Sequence, residues 1–254
     1  MKLTGNTIFI TGGTSGIGRG LAEALHRLGN KVIISGRRTA LLEAVTAANP
    51  GMASIALDIS SLESIERAAK ELVANHPDLN VVFNNAGFMP FDDVSGPVDD
   101  AVARSLIDTN LLGPIRMTAA LIEHLKTKPE ATVLYTTSVL AFVPSAGNAI
   151  YSATKAALHS FALSQRFQLR NTNVQVQEIA PPWVDTDLIY KSGDPRAMSL
   201  PAFIEQTIAK LAGDDPEIIV DAIKPIRDNP GANEHALVHA FNQSIVENPI
   251  PVAA

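Results

Sequence analysis

Short apolar runs recur along the first 180 or so residues, most of them unbroken rather than alternating, and stretches of helical periodicity separate them. Thr7–Thr11, Lys31–Ser35, Ala53–Leu57, Val81–Asn84, Thr132–Thr136 and Val174–Ile179 read as strands. A strand apolar on both sides suits a parallel sheet covered by helices on both faces. Ile17–Leu28, Ala40–Ala48, Leu62–Ala74, two pieces within Asp99–Leu125, and Ile150–Arg170 read as helices. This alternation predicts an α/β fold with a doubly wound, mainly parallel sheet. No repeat or low-complexity linker interrupts it, so residues 1–254 are expected to form a single domain.

The pattern changes after Ile179. Pro181-Pro182-Trp183 breaks it, and Asp185–Ser199 mixes Gly, Pro and charge like a loop. Pro201–Leu211 and Pro216–Ile226 look helical, each opening on a proline, which the first helical turn tolerates. Glu234–Phe241 fits a short strand or a helix equally well.

Composition narrows the function classes. Apolar residues make up 46 % and charged residues 18 % of the chain, as in a well-buried globular domain. The net charge is −6 without a run of like charges, so neither nucleic acid nor an anionic membrane has an electrostatic footprint here. With no cysteine, disulfides, thiol nucleophiles and cysteine metal sites are excluded. The apolar run near the N-terminus, Ile8-Phe9-Ile10, is too short for a signal-peptide core or a membrane span, and a cytoplasmic protein is expected.

Candidate chemistry begins directly after the first strand, at Gly12-Gly13-Thr14-Ser15-Gly16-Ile17-Gly18, which also opens the first helix. A dinucleotide pyrophosphate needs backbone N–H groups and the positive end of a helix, at an approach that side chains would block. Glycines at 12, 16 and 18 permit the turn, the approach and close helix–strand packing. After the second strand, Ser35-Gly36-Arg37-Arg38 offers two guanidiniums and no acid. A carboxylate there would bind the adenosine ribose of NAD and repel a 2′-phosphate, whereas arginine suits phosphate. NADP(H) is therefore favoured over NAD(H); the alternative is an arginine covering the next helix.

Tyr151 and Lys155 lie four residues apart, on one face of a helix. A phenol titrates ordinarily near 10, and an adjacent ammonium is expected to lower that value and suit the hydroxyl to proton transfer.

Thr11-Gly12-x-x-x-Gly16-Ile17-Gly18, Asn84-Asn85-Ala86-Gly87, Asn110, Ser138 and Tyr151-x-x-x-Lys155 together resemble the short-chain dehydrogenase/reductase family, in its order and spacing, across roughly residues 5 to 190. The resemblance implies a Rossmann fold and an oxidoreductase that interconverts a ketone or aldehyde and an alcohol. It implies Tyr151 as general acid or base and Lys155 as its modulator and holder of the nicotinamide ribose. Ser138 would hold the substrate oxygen, and Asn110 a water joining Lys155 to solvent. Around the cofactor it implies Thr14, Ser15 and Ile17 in the phosphate turn, Asp58 and Ile59 at the adenine edge, and Asn85, Ala86 and Gly87 at the ribose. Pro181, Val184 and Thr186 would lie at the nicotinamide, although Pro182, with its fixed φ and no N–H, stands where the family has glycine.

Residues 185–228 are expected to form a substrate lid. Phe88, Met89, Leu140, Phe142, Pro182, Trp183 and Ile189, with Ser138 and Tyr151, are expected to line the substrate pocket, Trp183 having packing against the sheet end as its alternative. Their character favours an apolar ketone or secondary alcohol. Arg196 or Lys191 would instead recruit a carboxylate. His235 and His239 form an i, i+4 pair with no glutamate between them, and no metal site is expected. Asp92-Asp93, Asp99-Asp100 and Asp214-Asp215 read as turns or caps. The tail lacks the family's closing Gly-Gln and Asp-Gly-Gly signals and resembles a DltE-like subgroup. A homodimer through helices at 99–125 and 150–170 is expected, with a tetramer as the alternative. The competing readings are a non-catalytic NADP(H) sensor, and a C=C reductase or dehydratase on the same fold.

Overall fold

The computed structural model describes residues 1–191, 193–229, 231 and 233–249. Seven parallel strands form one sheet in the order β3-β2-β1-β4-β5-β6-β7. They are β1 (Thr7–Thr11), β2 (Lys31–Gly36), β3 (Ala53–Ala56), β4 (Val81–Asn84), β5 (Ala131–Thr136), β6 (Val174–Ile179) and β7 (Glu217–Ile218). Helices α1 (Gly16–Arg27), α2 (Thr39–Ala48), α3 (Leu62–Asn75), α4 (Asp100–Ile107), α5 (Gly113–Lys126), α6 (Ala149–Leu169) and α7 (Leu200–Leu211) flank it. Two further helices, α8 (Lys224–Arg227) and α9 (Glu234–Glu247), follow β7.

Successive side chains on a strand face opposite ways, so each apolar run feeds two cores. Ile8 and Ile10 of β1 join one core with Leu21 and Leu25 of α1 and Phe203 of α7. Phe9 joins the other with Leu72 of α3, Leu121 of α5 and Leu158 of α6. This two-sided burial is why the strands read as unbroken apolar runs. The chain winds outward from β1 to β3, then crosses back to pair β4 with β1. At that switch point the carboxyl ends of β1 and β4 diverge and leave a crevice, where open α/β sheets bind ligands.

Elements up to β6 match the sequence pattern within a residue or two. Beyond it two readings change. The helix expected over Pro216–Ile226 is instead β7, a 3₁₀ turn at Asp221–Ile223 and the single turn of α8. Glu217 and Ile218 pair with Glu178 and Ile179 and extend the sheet, a tertiary gain that overrides local helical preference. The ambiguous tail segment is the helix α9.

Between α4 and α5 the chain makes a π turn, Asp108–Leu112. The α-helical donor for the carbonyl of Asn110 would be residue 114, a proline without an N–H. The widened turn fits that defect, and Asn110 faces inward, 1 % exposed. π turns of this kind concentrate at functional sites.

Candidate active site

Thr11 ends β1 and ties the crevice together: its hydroxyl accepts from the N–H groups of Asn85 (2.9 Å) and Ala86 (3.0 Å). The Asn85 amide donates back to the carbonyls of Thr11 (3.1 Å) and Gly12 (3.3 Å). Gly12 and Gly16 have φ of +71° and +53°, a region open to glycine. At Gly18 a Cβ would lie 2.3 Å from the Gly12 carbonyl oxygen. Gly18→Ala is therefore expected to destabilise the protein by about 1–3 kcal/mol and to weaken dinucleotide binding, measured by denaturant unfolding and titration.

Ser15 caps α1 without a side-chain hydrogen bond to it, and no acid sits in the first turn. The N–H groups and positive dipole end of α1 are thus left for an anion. Across the crevice, Arg38 donates to the Thr14 hydroxyl at 3.4 Å. The Ser60 hydroxyl and backbone N–H, with the charge of Arg37, hold the Asp58 carboxyl below the usual carboxylate range, against the pull of its burial. A cleft of about 1470 Å³ runs past all these groups and on past Ile59, Gly87, Asn85 and Ala86 to Ser138, Tyr151 and Lys155. A backbone cradle without side chains, with guanidiniums at one end, fits a dinucleotide phosphate chain.

At the other end Tyr151 and Lys155 project from α6, both buried, with Nζ 5.4 Å from the phenol ring centroid. Helix α6 is anchored by Asp92, whose carboxylate accepts from the N–H groups of Ala149 (2.8 Å) and Ile150 (2.9 Å). Lys155 donates to the Thr136 carbonyl at the end of β5, at 2.7 Å. Ser138, two residues on, starts a 3₁₀ turn and accepts from the Leu140 N–H at 3.1 Å. The Val139 N–H is bound to the Pro181 carbonyl at 2.9 Å. The Ser138 side chain lies beside the Tyr151 hydroxyl, and both line the same cleft. The Asn110 side chain brackets the Phe88 backbone, accepting from its N–H (3.1 Å) and donating to its carbonyl (2.9 Å). A Cβ on Gly87 would lie 3.1 Å from Asn110 Oδ1 and 3.8 Å from Lys155 Nζ, so these three positions are neighbours.

The expected lowering of the Tyr151 pKa is not found. Burial pushes the phenol up to about 12, and the Ser138 side chain beside it only partly opposes this. Burial pulls Lys155 down to about 8. The ammonium lies toward the ring and the Thr136 carbonyl in a dry setting, where desolvation dominates both groups. Lys155 nevertheless stays protonated roughly ten to one at pH 7.

Between about pH 8 and 10.5 the unfolded chain holds a proton on residue 155 that the folded one has lost, so this group's burial cost shrinks as pH rises. Wild type is expected to gain on Lys155→Met between pH 7.5 and 9.5, by at most about 2 kcal/mol in denaturant unfolding.

The cleft is also lined by Phe88, Met89, Leu140, Pro182, Trp183 and Ile189. Phe142 is a correction. Its ring lies edge-on to His159 at 5.1 Å and beneath the Arg227 guanidinium at 4.8 Å, behind the 3₁₀ turn and outside the main cleft. Pro181, Val184 and Thr186 also line it, with Thr186 Cβ 3.6 Å from where a Gly16 side chain would begin. The loop containing Pro182 is pinned by the Met198 N–H to the Trp183 carbonyl and the Asp185 N–H to the Met198 carbonyl, each 2.9 Å.

The stretch 185–228 divides. Residues near 185–200 and 222–226 line the cleft, whereas Phe203 and Leu211 of α7 sit in the core. Sequence reasoning missed α9, which contributes Phe241, Ser244, Ile245 and Asn248 to the cleft wall. Asp92, read from the sequence as a turn or cap residue, caps α6, a contact spanning 57 residues whose partner has no local signal. His159, Glu178 and Glu217 are close enough to share a cation. Both carboxylates, however, already pair with guanidiniums, Glu178 with Arg166 (3.1 Å) and Glu217 with Arg227 (2.6 Å). Among the described residues no helix is long and apolar enough to cross a membrane.

The family model of short chain dehydrogenases matches residues 6–196. Over 248 residues the chain is 38 % identical to "Uncharacterized oxidoreductase DltE" of Bacillus subtilis (strain 168), covering 95 % of this chain and 98 % of that one. It is 30 % identical over 194 residues to "NADP-dependent 3-hydroxy acid dehydrogenase" of Schizosaccharomyces pombe, covering 73 % and 74 %. A short chain dehydrogenase from Burkholderia cenocepacia J2315, solved in complex with NADP, superposes with a TM-score of 0.83 at 27 % identity, covering 95 % of this chain and 99 % of that one.

Proposed function

The chain belongs to the short chain dehydrogenase family of NAD(P)-binding oxidoreductases, and from that premise we propose that it uses NADP(H) to interconvert a ketone or aldehyde and an alcohol. The observation that carries this reading is the grouping of Ser138, Tyr151 and Lys155 at one end of a cleft whose other end is the glycine turn. NADP(H), when bound, supplies the hydride chemistry.

The residues of this chain supply orientation and the proton. Ser138 donates its hydroxyl hydrogen bond to the substrate oxygen and stabilises negative charge as it develops there. Tyr151 gives its proton to that oxygen in reduction and takes it back in oxidation. Lys155, mostly charged at neutral pH, stabilises the phenolate left behind. Asn110 fixes the backbone at Phe88, the wall facing that exchange.

Arg37 and Arg38 favour NADP(H). Both precede the first turn of α2, where the helix dipole favours anions and repels cations. Two guanidiniums there are best accounted for by a phosphate between them. The similar S. pombe enzyme carries NADP-dependent in its name, and the similar Burkholderia structure holds NADP.

A mixture of the protein, NADPH and a panel of ketones and aldehydes, followed at the nicotinamide absorbance band, tests the reading. Stoichiometric alcohol formation is expected. Tight NADPH binding with every carbonyl returned unchanged would point to a sensor. We also propose a homodimer: Ile107 of α4 and Leu163 and Phe167 of α6 are exposed, at 41, 44 and 66 %. Light scattering after size exclusion is expected to give twice the mass of one chain; a fourfold mass would contradict this.

A further inference from the structure

Helix α9 forms part of the cleft wall. Phe241, Ser244, Ile245 and Asn248 fall at i, i+3, i+4 and i+7 of α9 and its cap, one face of a helix, and all four line the cleft that contains Tyr151. One turn earlier on the same face, Leu237 and Val238 pack against the core.

Two independent contacts hold the helix in that position. Asn242 accepts from the Ala146 N–H and donates to the Pro144 carbonyl at 3.0 Å, docking α9 on the loop just before the helix of Tyr151. At the other end the Arg196 guanidinium donates to the carbonyls of Asn248 and, at 2.9 Å, Pro249. A helix C-terminus leaves carbonyls without partners, and a cation there satisfies them. The same guanidinium pairs with Asp194 at 2.7 Å and lies 5.4 Å from the Trp183 ring centroid. Arg196 is thereby committed to structure, which removes it as the carboxylate receptor that its place in the sequence suggested. Two of the four residues that α9 turns toward the cleft are large and apolar, Phe241 and Ile245, and Trp183, Ile223 and Ile226 line the same cleft.

We infer that α9 is the specificity wall of the substrate site, selecting carbonyl compounds that carry an extended apolar group on one side of the carbonyl, with Phe241 and Ile245 contacting that group. Arg196 and Asn242 are positioning residues that hold the wall in place. The inference rests on the carbonyl-reductase reading above, so binding and turnover are read separately.

Alkan-2-ones of increasing chain length, titrated calorimetrically into the NADP⁺ complex, report binding without chemistry. Affinity is expected to rise by up to roughly fourfold per added methylene in wild type. In Phe241→Ala/Ile245→Ala the rise is expected to flatten while NADP⁺ affinity changes less than about twofold. Tyr151→Phe should keep the rise and lose turnover, so the chemistry and the wall fail independently.

Hydrogen exchange covers the case in which the double variant unfolds locally. Arg196→Met is expected to speed amide exchange across 234–248 and to flatten the same rise. A wild-type affinity independent of chain length would overturn the inference. So would a rise untouched by either variant, or a 2-oxo acid binding tighter than the matched methyl ketone.

Discussion

Tyr151→Phe is expected to lower kcat for carbonyl reduction by about 10²- to 10⁴-fold, the usual contribution of a positioned general acid, with NADPH affinity changed less than about threefold. The substitution removes one oxygen from a buried ring and leaves the glycine turn, Arg37 and Arg38 untouched. The raised pKa of the phenol, about 12, sharpens this expectation. Below that value the tyrosine keeps its proton, the form needed to protonate a developing alkoxide. Reduction should therefore stay nearly flat from pH 6 to 7 and fall about twofold by pH 8, where Lys155 has lost half its charge, while oxidation, which starts from the phenolate, should climb toward alkaline pH. Stopped-flow rates in both directions check this. Full activity in the variant would remove Tyr151 from the mechanism.

The second large effect concerns the cofactor. A hydrogen bond between a guanidinium and a phosphate contributes about 1.5–3 kcal/mol, or roughly 10- to 150-fold in affinity. Arg37→Ala and Arg38→Ala are each expected to weaken NADPH binding within that range while NADH binding changes little. The double variant should then bind the two cofactors about equally. Fluorescence titration of both nucleotides measures it. Equal losses for NADPH and NADH would instead make these arginines part of the general structure of the α2 start.

Most of the site's covalent pattern was legible in the sequence because its constraints are local. Glycine at 12, 16 and 18 answers to a turn made within seven residues, and Tyr151 and Lys155 to one turn of helix. The unbroken apolar strands likewise follow from burial on both sheet faces. What was not legible depends on contacts between distant segments. Glu217 and Ile218 are a strand because β6 offers them partners. Phe142 turns away from the cleft because His159 and Arg227 hold its ring. Helix α9 enters the site through Asn242 and Arg196, each reaching more than fifty residues along the chain. The raised phenol pKa was missed for a related reason: residue spacing shows that Lys155 is near Tyr151, but not how thoroughly both are removed from water.

The central claim is that Ser138, Tyr151 and Lys155 complete a carbonyl reduction beside a bound nicotinamide. NADPH deuterated at C4, each epimer in turn, incubated with the protein and an alkan-2-one, tests it most directly when the alcohol is analysed by mass spectrometry. One deuterium on the carbinol carbon from one epimer alone is the expected result. Alcohol without label from either epimer, or ketone recovered unchanged while NADPH remains bound, would contradict it.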